Sequence, residues 1–303
     1  MKKRDFLSLF DLSLPEARDV FARTTAMKHA PVGSFRHLLA GDSIAVVLEK
    51  SSTRTRVSFE AGICHLGGHP IVLTSDGSQI ARGEPVHDTA RVLARMCRLI
   101  AYRTSTHQRL QNMALASVPV INALSDDGHP VQVLCDVYTV EECFHRSIEG
   151  MHVAFVGDCG SNMARSWVQA ASLFDFHLHL AAPDGYFAPQ FELDRAGAHV
   201  TLHRDPKAAI AGCDVINTDV WASMGQESEA QKRRLDFVGW TLDSNMLAGA
   251  KNEAIVLHCL PAHRGEEIAD DVIEGPRSRV WQQAENRLHV QKGLMTFLLQ
   301  LPV

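Results

Sequence analysis

Several short stretches of the chain carry residue types that can do chemistry. In Ser51-Ser52-Thr53-Arg54-Thr55-Arg56, three hydroxyl donors (Ser52, Thr53, Thr55) and two guanidinium groups (Arg54, Arg56) crowd into the start of one segment of helical period, Thr53–Leu66. An apolar, β-rich run, Ser43–Leu48, comes directly before it. A helix N-terminus offers unpaired N–H groups and a partial positive charge to anions. Arginines placed there oppose the helix dipole by about 0.3–1 kcal/mol each unless an anion offsets them. The segment therefore reads as an anion cradle, against the plainer alternative of a serine/threonine cap with its arginines in solvent. The pattern G-x-x-x-x-G-K-[ST] is absent, so the anion expected is a small phosphorylated molecule and not a nucleoside triphosphate.

Further on, Asp126-Asp127-Gly128-His129-Pro130-Val131-Gln132 opens a long helical stretch, with Pro130 suited to its first position. His129 and Gln132 would then sit at a strand-to-helix junction, where a neutral imidazole and an amide can donate to a carbonyl oxygen; a simple cap is the alternative. In Thr218-Asp219-Val220-Trp221-Ala222-Ser223-Met224-Gly225, Asp219, Ser223 and Met224 supply a carboxylate, a hydroxyl and a flexible apolar side chain that can receive a ligand amine. An ordinary loop with a helix cap explains Ser223 nearly as well. His258 and Cys259 are adjacent, so on an extended chain they face opposite ways and no shared metal is expected. The thiol at the strand's carboxyl end is the group of interest. Ala284-Glu285-Asn286-Arg287 brings one more cation to the last helix.

These segments need elements to position them. Apolar β-rich runs at Ser43–Leu48, His69–Leu73, Leu99–Tyr102 and Val118–Ile121 alternate with helical stretches at Thr53–Leu66, Pro85–Cys97 and His107–Ala116. A second series follows: strand His152–Val156, helix Asn162–Phe174, strands His177–Ala181 and Asp214–Asn217, helix Gln226–Phe237 and strand Ile255–Leu257. Alternation of this kind implies right-handed crossovers and parallel sheets, with ligands beyond the carboxyl ends of the strands. The fold class expected is α/β, with two domains, each a central parallel sheet flanked by helices, joined by long helices. The boundaries expected are 1–147 and 148–285, with Pro130–Ser147 as connector and the last helix (about Gln283–Leu299) returning so that 286–303 packs on the first domain.

At 303 residues and 46% hydrophobic content the chain can bury two cores. A net charge of −5 gives no broad basic field, which excludes nucleic acid as a partner. No apolar stretch reaches the roughly 20 residues needed to span a bilayer, so no membrane partner is expected. The basic head of MKKRDFLSLFDLSL is interrupted by Asp5 and Asp11, and Ser13, Pro15 and Glu16 suit a helix start better than a secretory signal. A cytoplasmic protein is the expectation. Seven scattered cysteines without a C-x-x-C pair disfavour disulfides and structural zinc, and most read as small core residues.

Taken in order, S-T-R-T at Ser52–Thr55, Q-x-x-R-G-E-P at Gln79–Pro85, H-P-x-Q at His129–Gln132, D-V-W-x-S-M-G at Asp219–Gly225, H-C-L-P at His258–Pro261 and A-E-N-R at Ala284–Arg287 resemble the aspartate/ornithine carbamoyltransferase family over nearly the whole chain. S-M-G and H-C-L-P are similar to its ornithine branch. The resemblance implies transfer of a carbamoyl group from carbamoyl phosphate to the side-chain amine of L-ornithine, giving L-citrulline and phosphate, without cofactor or metal. It assigns Ser52, Thr53, Arg54, Thr55, Gln79, Arg103, His129, Gln132, Cys259, Leu260 and Arg287 to carbamoyl phosphate. Asn162, Asp219, Ser223 and Met224 fall to ornithine, and Arg103, His129, Asp219 and Cys259 to catalysis. It also implies a homotrimer, or a multiple of trimers, with active sites at subunit interfaces and Gln79 supplied by a neighbouring subunit.

Two departures stand out. The family usually has paired asparagines after the strand at His152–Val156, whereas this chain reads Ser161-Asn162, which bears on ornithine affinity. Ala81 replaces a common glycine in the Gln79 loop. Rival readings are a carbamoyltransferase for aspartate, putrescine or an acylated ornithine, a catalytically silent relative, and a dinucleotide-binding oxidoreductase, which the missing G-x-G-x-x-G spacing disfavours.

Overall fold

The computed structural model describes residues 3–75, 78–223 and 226–303 and divides the chain into two compact units, 1–134 with 285–303, and 135–284. The first division falls inside a helix, whereas the sequence pattern suggested a boundary near 147.

In chain order the first unit begins with α1 (Leu14–His29), β1 (Ser43–Leu48), α2 (Thr53–His65), β2 (His69–Thr74), α3 (Val86–Leu93) and β3 (Leu99–Arg103). It continues with α4 (His107–Met113), β4 (Val120–Leu124) and the start of α5 (Pro130–Phe144). The second unit contains β5 (His152–Val156), α6 (Asn162–Phe174), β6 (His177–Ala181), α7 (Gln190–Ala196), β7 (Val200–His203) and α8 (Pro206–Ile210). After these come β8 (Val215–Thr218), α9 (Ala230–Asp236), α10 (Ser244–Leu247), β9 (Ile255–His258) and α11 (Asp270–Ile273). The last helix, α12 (Val280–Leu298), ends among the residues of the first unit.

Both sheets are parallel throughout, in the orders β2-β1-β3-β4 and β7-β6-β5-β8-β9. The central strands are buried on both faces, which is why SIAVVL and HVAFV read as nearly unbroken apolar runs. In the first unit, Ala45, Val47, Ile100 and Tyr102 pack under α3 and α4; in the second, Ala154, Val156, Ile216 and Val256 pack with Trp221, Phe237 and Trp240.

The expected elements form with small shifts. The strand placed at Val118–Ile121 runs instead from Val120 to Leu124, because Pro119 precedes it and its pairing with β3 begins at Ile100↔Val120. The connector stops at Phe144, since His145 has φ +50°. The helix expected at Gln226–Phe237 is a short 3₁₀ turn at Glu227–Glu229 followed by α9. The pattern missed α7, β7, α8, α10 and α11 altogether. At the N-terminus, the Ser13 N–H donates to Glu16 Oε2 at 2.9 Å, the reciprocal half of the capping arrangement read from the sequence. None of the seven cysteines is in a disulfide, and Cys97, Cys135, Cys159 and Cys213 are buried.

Candidate active site

In the first unit, β1 ends at Leu48 and the chain turns into α2 with Ser52 as N-cap, its Oγ accepting from the Thr55 N–H at 3.3 Å. Serine satisfies a donor that would otherwise be unpaired at the helix start. The same hydroxyl lies 3.0 Å from Thr55 Oγ1. Thr55 is fully buried and accepts from Arg287 Nη2 at 3.0 Å, while Arg287 Nη1 donates to Gln132 Oε1 at 2.9 Å. One guanidinium therefore ties the first turns of α2 and α5 together. It can do so because α12 runs close to α2 at Gly62, where an added Cβ would lie 3.4 Å from both Leu288 and Lys292.

Arg103 closes β3 at a register shift against β4, and His129 precedes α5, its carbonyl accepting from the Gln132 N–H at 3.0 Å. The turn before it is held by Asn122, whose amide donates to Ser125 Oγ at 3.3 Å and to the Gly128 carbonyl at 3.4 Å. His129 is 3% exposed, and its pKa is pushed well below the ordinary 6.5, first by burial and then by the charges of Arg287, Arg103 and Arg54. The imidazole is consequently neutral at pH 7 and sits among three guanidinium groups, a field suited to an anion with a polarised carbonyl. Arg56 is excluded from this cluster. It is exposed and pairs along the helix with Glu60 at 3.1 Å, so the cradle keeps one of its two arginines. Thr53 is exposed at the first helical position, and Gln79 is exposed on a 3₁₀ turn capped by Ser78.

The second unit gathers its polar groups at the carboxyl ends of the adjacent strands β8 and β9. The Cys259 thiol donates to Asp219 Oδ1 at 3.2 Å. Burial raises the Asp219 carboxyl above its ordinary pKa, opposed by the neighbouring His258, the Val220 N–H and the Cys259 thiol. His258 is fixed at both ring nitrogens, since Nδ1 accepts from the Leu260 N–H at 2.9 Å and Nε2 lies 3.0 Å from Glu267 Oε1. An acceptor Nδ1 leaves the proton of the neutral ring on Nε2, which donates to Glu267. Glu267, fully buried and unremarked in the sequence, also accepts from the His263 N–H at 2.7 Å.

The alternation argument about His258 and Cys259 does not hold here. Ligand atoms of Asp219, His258 and Cys259 lie within 4.8 Å of one another, at the point where β9 ends at His258 and Cys259 is no longer part of the strand. The ring nitrogens are nonetheless committed to Leu260 and Glu267, and a shared cation would have to break one of those bonds.

Asn162 opens α6, and Ser161 caps it, accepting from the Ala164 N–H at 3.3 Å. Serine and asparagine cap about equally well, so the departure at Ser161 preserves this helix start. The Ser223 N–H donates to Gln226 Oε1 at 3.0 Å, and its buried hydroxyl has no partner among the described residues. Met224 lies outside the described residues. Arg233 was not anticipated. It is 6% exposed, donates to Asp158 Oδ2 at 2.6 Å and to the Trp221 carbonyl at 2.8 Å, and so links the loop that leads to Asn162 with the loop that carries Asp219 and Ser223.

The chain is similar to known proteins over nearly its whole length. Residues 4–142 match the family model described as aspartate/ornithine carbamoyltransferase, carbamoyl-P binding domain, and residues 149–298 match its Asp/Orn binding domain. An ornithine carbamoyltransferase of Sorangium cellulosum is 61% identical over 306 residues, covering 99% of this chain and 98% of the relative. One from Geobacter metallireducens is 49% identical, covering 98% and 99%. Among solved structures, ornithine carbamoyltransferase from Pyrococcus furiosus superposes with a TM-score of 0.91 at 41% identity, covering 97% of this chain and 96% of that one. The anabolic ornithine carbamoyltransferase from Campylobacter jejuni gives 0.92 at 37%, covering 98% and 99%. With both of its halves matched in order, the chain belongs to the aspartate/ornithine carbamoyltransferase family.

Proposed function

We propose that the protein transfers the carbamoyl group of carbamoyl phosphate to the side-chain amine of L-ornithine, forming L-citrulline and phosphate. The observation that carries the donor half of this reading is the cluster of Arg54, Arg103 and Arg287 around a neutral, buried His129, beside the capped N-terminus of α2. Phosphate leaves as an anion, and Arg54 with the hydroxyls and N–H groups of Ser52, Thr53 and Thr55 neutralises it. Arg103, His129 and Thr55 donate to the carbonyl oxygen as negative charge develops on it. Each such donor contributes about 2.7–4 kcal/mol where oxyanion sites have been dissected. Arg287 holds Thr55 and Gln132 in place for this task.

Only a neutral amine can attack the carbonyl carbon, and an alkyl ammonium titrates near ~10.4, so fewer than about one in a thousand is ready at pH 7. Asp219, with a raised pKa and a thiol donating to it, receives and orients the ammonium and accepts its proton. The lone hydroxyl of Ser223, with Asn162 and Met224, takes the amino-acid end of ornithine. The reading includes a cytoplasmic homotrimer, or a multiple of trimers, active in arginine metabolism, in which Gln79 of one subunit completes a neighbour's donor site. Its exposure on a capped turn supports that role.

Paired variants test the assignment. Arg54→Ala should lower kcat/KM for carbamoyl phosphate by at least about a hundredfold, the scale of losing one oxyanion-type donor, with an unchanged melting temperature. Ser223→Ala should raise KM for ornithine and leave KM for carbamoyl phosphate alone. Near-normal turnover by Arg54→Ala would remove the basis for the donor site.

A further inference from the structure

Glu49 is the first residue beyond β1 and stands three positions before Ser52, the cap of α2. Its half-buried carboxylate gathers donors from β3, from the loop after it and from α4. The Tyr102 hydroxyl donates to Oε1, the Thr104 hydroxyl donates to Oε2 at 2.8 Å, and Arg109 grips both oxygens, Nη2 reaching Oε1 at 2.8 Å and Nε reaching Oε2 at 3.0 Å. The Glu49 N–H also donates to the Arg103 carbonyl at 3.0 Å, next to the last strand pair, Leu48↔Arg103. Arg103 is thus bracketed by Glu49, through its own carbonyl and through the fully buried residues on either side of it. Burial, which alone would raise the Glu49 pKa, is outweighed by the bonds from Arg109, Tyr102 and Thr104, and the group is ionised at neutral pH.

The bracket falls where the sheet is least regular. Tyr102 pairs with Asn122 but Arg103 pairs with Leu124, so β4 carries an extra residue at this step and an even ladder does not set Arg103 from that side. Alternation places Tyr102 and Thr104 on one face, with Tyr102 in the core under α3 and α4, and Arg103 on the other, where its charge bears on His129. We propose that Glu49 is a positioning residue for carbamoyl transfer: from the far face of β3 it fixes the chain at Arg103, and with it the guanidinium that donates to the carbonyl oxygen of carbamoyl phosphate. This inference rests on the carbamoyl-phosphate reading of the donor site. Glu49 touches no reacting atom. Its effect is geometric, and a misplacement of about 1 Å in such a donor can cost about a hundredfold in rate.

Steady-state citrulline formation by Glu49→Gln tests the role. The amide keeps the shape and one acceptor oxygen and gives up the charge and the two-pronged bond to Arg109. Its kcat should fall by about tenfold to a hundredfold. KM for ornithine and the inhibition constant of inorganic phosphate should each stay within about twofold of the wild type, because the phosphate end of the site rests on Ser52–Thr55 and not on Arg103. Arg103→Lys should be slow by itself, and adding Glu49→Gln to it should lower kcat by less than about threefold more, since both changes act through one guanidinium. Arg109→Lys, at a part-exposed position, keeps the charge but loses the fork and should lower kcat by about threefold to tenfold with its melting temperature preserved, so it carries the test if Glu49→Gln does not fold. Wild-type kcat in folded Glu49→Gln or in Arg109→Lys, or a full additional loss on top of Arg103→Lys, would overturn the proposal while leaving the donor site in place. A wild-type protein that forms no citrulline would remove the donor-site reading and this inference with it.

Discussion

In the proposed reaction, Asp219 and its neighbours set the chemistry of the acceptor amine. A carboxylate withdrawn from water has a raised pKa and gains basicity, and the Cys259 thiol, 3.2 Å away, keeps it oriented. Asp219→Asn retains shape and burial and removes only the basic group. Its turnover should fall by about 10²–10⁴-fold, the usual contribution of a positioned acid or base, and steady-state citrulline formation measures it. As candidates, the hydroxyls of Thr53 and Thr55, with Arg54, His129, Asp219 and Cys259, could be picked out of the sequence because each belongs to a compact run at a strand end. Glu267 and Arg233 could not, since their partners His258 and Asp158 lie 9 and 75 positions away and nothing local marks the pairing. Arg56 misled for the same reason, because a helical turn of mixed arginines does not reveal that one of them points to Glu60.

At the scale of elements, contacts between loops and helices carry the site. Arg233, buried against Asp158 and the Trp221 carbonyl and stacked over Tyr186 at 5.1 Å, fixes two loops of the second unit at once. Arg233→Met leaves Asp158 buried without its partner and should destabilise the fold by about 3–5 kcal/mol. Denaturant titration reads that loss, and any activity retained should show a raised KM for ornithine with little change for carbamoyl phosphate. In the first unit, α12 crosses α1 at Gly293, where an added Cβ would lie 2.3 Å from Thr24 Oγ1 and 2.8 Å from the Val20 carbonyl. Gly293→Ala should therefore cost about 1–3 kcal/mol, as overpacking does, visible as a lower melting temperature. The long central elements were legible from their periodicity: β5, α6 and β6 match their expected bounds residue for residue. The segments that escaped, α7, β7, α8, α10 and α11, are seven, four, five, four and four residues long, and the alternation of β7, an edge strand reading VTLH, covers only four residues, too few for a period to stand out.

For the molecule as a whole, pH acts on stability and on rate in separable ways. Folding depresses the His129 pKa far below the 6.5 of the unfolded chain, so below about pH 6.5 the unfolded state takes up a proton that the folded state refuses. Stability from this group is complete at pH 7 and is lost as pH falls through 6.5. The raised carboxyls of Asp158 and Asp219 act in the opposite sense, because their burial penalty eases as they protonate. Comparing variants isolates the histidine, and the drop in melting temperature between pH 7.5 and 5.5 should be smaller in His129→Gln than in the wild type. The rate should climb through pH 8 to 9 as the acceptor amine loses its proton.

The acceptor amine distinguishes this reaction from those of its relatives. The purified protein, given labelled carbamoyl phosphate and an equimolar mixture of L-ornithine, L-aspartate, putrescine and N-acetyl-L-ornithine, should yield labelled L-citrulline as its dominant product. Label found chiefly in carbamoyl aspartate, carbamoyl putrescine or acetylcitrulline, or in no carbamoylated amine, would rule out L-ornithine as the acceptor.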